Sequence, residues 1–186
     1  VAQVVGRDDA IARLREVAAL ASEAEACGED VGDFVYGPAG ARVDPESIPA
    51  ALLEFCNVTN GMRCDGIVLY GGSGFLGIGA ALAERLPDGN ERWCGIGEIA
   101  DVPVFMDRSD GTIWHALDAT SEDFQRAEMT QIATDIWSFV TWYVIGPGYV
   151  EIFTEEEYED DDEEFEWAVF LRRNGFLEPR QDKFQV

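Results

Sequence analysis

Residues 93–117 read WCGIGEIADVPVFMDRSDGTIWHAL, and the fold turns on them. Apolar, β-branched and aromatic residues fill three short runs, near Arg92–Ile99, Val102–Met106 and Thr112–Leu117. Asp101 breaks the first pair of runs and Asp107-Arg108-Ser109-Asp110-Gly111 breaks the second. Asp and Gly are what tight reversals need, so the pattern predicts a three-stranded antiparallel meander. Nothing in the stretch is arranged for catalysis. His115, the single histidine, sits inside the third run beside Trp114 and reads as a half-buried core residue.

Upstream, Ile11, Leu14, Val17, Ala18 and Ala21 recur at helical spacing, which predicts a helix from Asp8 to Ala26 ended by Gly28. Residues 29–44 carry Gly, Pro and acids and read as a loop. A second helix opens near Ser47 with Pro49 in its first turn and stops at Asn60-Gly61. Ile67-Val68-Leu69-Tyr70 is a short buried strand. Downstream, Thr120 and Asp123 have capping-box spacing. They predict a long helix with Phe124, Met129, Ile132, Ile136, Phe139, Val140 and Tyr143 on its inner face, stopped by Gly146-Pro147-Gly148. Phe165, Trp167, Ala168, Phe170 and Leu171 predict a short terminal helix stopped by Asn174-Gly175. The expectation is one α+β domain with a mainly antiparallel sheet packed by helices. It divides into an N-terminal helix and loop (1–44), a core (45–148) and an acidic extension with a short helix (149–186).

The 186 residues include 37 acids against 13 bases, a formal charge of −24. Eleven of the acids lie between Glu151 and Glu166, and without them the charge is still −13. Such a field repels nucleic acid and anionic membranes and attracts basic proteins. A block of like charges is often an interaction segment, which singles out Glu156, Asp160 and Asp161. The run lacks the glycine and alternating ligands of a calcium loop. Cys27, Cys56, Cys64 and Cys94 form no Cys-x-x-Cys pair and have one histidine to assist them, so structural zinc is not expected. Reduced, mostly buried thiols in a cytoplasmic protein fit this usage, and no segment reads as a signal peptide or membrane span. Trp137, Trp142 and Tyr143 read as core and interface aromatics rather than a cofactor box.

One motif competes with a binding role. Gly72-x-Gly74-x-x-Gly77 follows a strand and precedes a helical segment, the setting of a dinucleotide fingerprint, and Glu98 and Asp101 lie about twenty residues on. Against it, no tyrosine has lysine four residues later, the one lysine is Lys183, and some 65 residues precede a motif that should open its fold. A glycine-rich loop leading to a short helix accounts for the same residues.

Three segments together resemble the SUKH superfamily, which includes a yeast cell-wall-synthesis regulator and many bacterial toxin-immunity proteins. Ile48-Pro49-Ala50-Ala51-Leu52-Leu53-Glu54-Phe55 followed by Asn60-Gly61 is similar to that family's helical entry. Ile67-Val68-Leu69-Tyr70-Gly71 is similar to its next strand. Ile96-Gly97-Glu98 through Asp107, with Gly111-Thr112-Ile113-Trp114, is similar to its core hairpin. The resemblance covers roughly residues 45–148 and implies a non-catalytic, cofactor-free protein that neutralises a cognate toxin by binding it. A basic cleft built for phosphates could be filled by fixed carboxylates, for which Glu98, Asp101, Asp107 and Asp110 are the candidates at or beside the meander turns. The alternative expectation is a non-catalytic dinucleotide-binding protein that uses Gly72, Gly74 and Gly77.

Overall fold

The computed structural model describes residues 6–40, 43–117, 128–153 and 165–178. Seven strands form one antiparallel sheet in chain order: β1 (Val35–Tyr36), β2 (Met62–Cys64), β3 (Ile67–Leu69), β4 (Trp93–Ile99), β5 (Val102–Asp107), β6 (Ile113–Leu117) and β7 (Glu128–Ala133). The expected meander is its centre, with Gly97 opposite Val104 and Val104 opposite His115. A bulge between Gly95 and Gly97 shifts the β4–β5 register by one residue. The helices are α1 (Arg7–Ala26), α2 (Ala50–Val58), α3 (72–83), α4 (Gly89–Arg92), α5 (136–144), α6 (Gly148–Phe153) and α7 (Glu166–Arg173). Both α3 and α5 contain a π-helical turn, at Phe75–Gly79 and Val140–Val144.

The alternation of side chains across each strand produces two apolar layers. Cys94, Ile96, Val104, Met106 and Ile113 face the main core, where they meet Leu14 and Val17 of α1, Leu52 and Phe55 of α2, and Phe139 of α5. Trp93, Phe105 and Ala116 face the other way and pack under Ala83 and Leu86. The first and last helices belong to the main core too. Trp167 of α7 is fully buried and stacks on Phe34 with ring centres 4.4 Å apart.

Three expectations need correction. The stretch 29–44 is not all loop, because β1 pairs with a strand the sequence reading missed, β2. That strand and β3 are joined by Asp65-Gly66, a two-residue hairpin signal. Nor does a helix run through 128–133. Met129 and Ile132 fit a helical stripe, but these residues pair with β6 as an edge strand. The helix starts later, where the Asp135 side chain accepts the Ser138 backbone N–H at 2.8 Å and caps α5. The expected cap at Thr120 and Asp123, and Phe124, lie outside the described residues. Third, residues 72–83 are helical from Gly72 onward rather than a glycine loop.

Candidate protein-binding surface

Strand β5 separates the carboxylates that the sequence groups together. Asp101 stands just before it and Asp107, its last residue, with Asp110 at the other end, so Asp101 and Asp107 are roughly 20 Å apart along the strand. They therefore belong to two different surfaces.

At the first end, Ala100 and Asp101 form the β4–β5 turn with φ of 48° and 64°. The Ala100 N–H donates to the Gly66 carbonyl at 2.7 Å, which ties this turn to the β2–β3 turn and its Asp65. Asp65 is half-buried. Its carboxylate accepts the Tyr149 hydroxyl at 3.0 Å and the Trp167 N–H at 3.3 Å, so it also anchors α6 and α7 to the sheet. Burial pushes the Asp65 carboxyl up in pKa. The two hydrogen bonds pull it down, and the negative charges of Asp33 and Asp30 push it up again. Asp30, Asp33, Asp65 and Asp101 thus collect at one end of the sheet. Arg63 approaches Asp33 at 3.5 Å, but both side chains are exposed and such a pair is weak. The sequence reading found only Asp101 of this group. Asp65-Gly66 between two apolar runs was the available signal.

At the other end, Asp107 does not serve as a free surface carboxylate. It is 4% exposed. Its Oδ1 accepts the Ser109 N–H at 2.9 Å and the Ser109 hydroxyl at 2.6 Å, and its Oδ2 accepts Arg92 Nε at 2.9 Å. Burial alone would raise the pKa, but Ser109 and Arg92 outweigh it and hold the carboxyl below the usual range. Asp110 is exposed and accepts the Thr112 N–H at 2.9 Å. Glu98, by contrast, is the next-to-last residue of β4, opposite Pro103 at the Asp101 end, and accepts the Tyr70 hydroxyl at 2.6 Å. Glu156, Asp160 and Asp161 lie outside the described residues.

Groups that could react are not brought together. Cys94 is buried on β4, with its pKa pushed up to about 11 by burial against a weaker pull from Arg108. Its thiol is therefore neutral near pH 7 and a poor nucleophile. His115 is on β6, with β5 between the two strands. Cys56 and Cys64 are also buried free thiols and Cys27 is an exposed one. Among the described residues no group of three or more His, Cys, Asp or Glu side chains could hold a metal, and no helix is long and apolar enough to cross a membrane.

The glycines of the fingerprint have internal partners. The Gly72 N–H donates to Asn60 Oδ1 at 2.9 Å. A side chain on Gly74 would meet the Tyr70 Cβ at 2.8 Å. Only Gly77 faces open space. Gly79 and Gly95 lie against each other, so that a Cβ on either would strike the other's backbone. These residues let α3 lie close on β4. The strands flanking α3 are antiparallel, whereas the dinucleotide fingerprint belongs to a parallel βαβ unit. The geometry therefore gives Gly72 and Gly74 internal structural partners and leaves Gly77 exposed with no packing contact.

No family model matches the chain, and no curated protein or solved structure matches it.

Proposed function

We propose that this chain is a protein-binding domain of the immunity type, which neutralises a cognate toxin or another basic protein in a bacterial cytoplasm and catalyses no reaction. The observation that carries this reading is the gathering of Asp30, Asp33, Asp65 and Asp101 at one end of the sheet, within a chain of net charge −24. Carboxylates gathered at one end of the sheet present a local negative patch to a cationic cleft, and the field of the whole chain speeds the encounter. Nucleic acid and anionic membranes are repelled by the same field. The resemblance of residues 45–148 to the SUKH superfamily supports the same reading.

The test is capture from cells of the source organism at low salt, with the wild-type chain and a D30N/D33N/D101N variant side by side. All three positions are exposed, so the variant should fold normally. The reading expects a basic protein retained by the wild type and lost from the variant. Equal retention by both chains, or none by either, contradicts it.

A further inference from the structure

On the face of the sheet away from the main core, an open pocket of about 180 Å³ lies beside the meander. Leu86, Trp93, Trp114 and Met129 wall it, and Asp88 and Arg92 stand at its rim. Both indole N–H groups are already engaged. Trp93 donates to the Pro87 carbonyl at 3.1 Å and Trp114 to Thr112 Oγ1 at 2.8 Å. The two rings meet edge to face, 6.0 Å between centres, and offer an occupant apolar surface. Arg92 lies over the Trp93 ring at 4.5 Å. Its charge is answered twice, by Asp107 at 2.9 Å and by Asp88 at 3.7 Å. Asp88 is 63% exposed and holds Arg92 only loosely, so its carboxylate is open to a second cation.

Size selects the occupant. A cavity of about 150 Å³ is enough for benzene, while pockets for drug-sized ligands and cofactors start near 300 Å³. The pocket therefore has room for one aromatic ring and is too small to enclose a dinucleotide. Charge selects what the ring is attached to. The overall field disfavours anionic ligands, and Asp88 favours a neighbouring cation. We infer that the pocket receives a single aromatic side chain, flanked by a lysine or arginine, from a partner protein. It would be the desolvated anchor that long-range charge cannot supply. This inference rests on the protein-binding reading above and adds to it a second contact region, at the opposite end of the meander from Asp101.

The test needs no partner protein. N-acetyl-Lys-Trp-Lys-amide is titrated into the ¹⁵N-labelled chain, and the indole N–H signals of its five tryptophans are followed. The Trp93 and Trp114 signals should shift saturably, with a Kd of about 1 to 10 mM, as expected for one side chain. Replacing the probe tryptophan by alanine should abolish the shifts. Replacing its lysines by glutamates, or Asp88 by asparagine, should weaken binding about threefold or more. Met129→Phe fills the pocket with little risk to the fold and should also abolish saturation; Trp114→Ala should do the same by removing a wall. Absence of saturation, equal shifts with the alanine probe, or full binding by Met129→Phe would each overturn the assignment. Such a result leaves the acidic sheet end to its own test. Conversely, loss of the acidic-surface reading in cells would not alter the peptide titration.

Discussion

Asp107 and His115 are both polar groups within the sheet, and acid works against each in a different pH window. Burial lowers the His115 pKa below its ordinary 6.5, more than backbone hydrogen bonds to Ile99 and Val102 raise it, and its Nε2 is buried with no hydrogen-bond partner among the described residues. The unfolded chain therefore takes up this proton first, and the stability contributed by neutral His115 is lost as pH falls below 6.5 towards the folded value. Urea midpoints of wild type and His115→Gln, measured from pH 7.5 to 5, should converge as pH falls; parallel curves would contradict this. Asp107 has its folded pKa depressed below 3.8, so its contribution is present at neutral pH and lost only as pH falls through that lower value. Asp107→Asn should cost about 1 kcal/mol at pH 7, the modest figure reflecting a half-exposed Arg92 screened by water. Equal unfolding midpoints for the two proteins at pH 7 would refute it. At this scale, sequence showed that both turns of the meander need aspartate. It could not show which carboxylate turns inward, because that depends on Arg92, the last residue of α4, standing beside the end of β5.

Among the elements, the contact between α3 and β4 decides what the glycine-rich segment is for. Gly79→Ala would push a methyl group into the backbone of Gly95, where no flexible side chain can move aside. A loss of about 1 to 3 kcal/mol in chemical unfolding is expected. Gly77→Ala is the control. It is exposed, with nothing near the added methyl, so it should gain about 0.5 to 1 kcal/mol from helix propensity. A nucleotide-cradling loop would show a different pattern, with both changes sparing stability and abolishing ligand binding. The meander was legible because its apolar runs and acidic breaks coincide with strands and turns. The helix expected through residues 128–133 failed for a physical reason. Met129 and Ile132 share a face only in a helix; as a strand they point to opposite sides, and both are accommodated because Ile132 packs on the main core and Met129 on the second apolar layer while the backbone satisfies the edge of β6. The Asp65-Gly66 hairpin was legible and overlooked, and with it went most of the acidic sheet end.

For the molecule as a whole, charge and topology divide the work. The sheet runs strictly in chain order, so its turns fall alternately at two ends. Aspartates placed at successive turns are thereby sorted onto two surfaces, one strongly acidic and one beside an aromatic pocket. Sequence carried the net charge plainly, but this sorting appears only when strand order is known. On the proposed account, the acidic end and the overall field set how fast a partner arrives, and the pocket sets how long it stays. The most direct measurement is the kinetics of the chain with the basic protein that the capture experiment is proposed to yield, between about 20 mM and about 500 mM NaCl. The account predicts an association rate at least about tenfold slower at high salt and a dissociation rate nearly unchanged. An association rate indifferent to salt would contradict it.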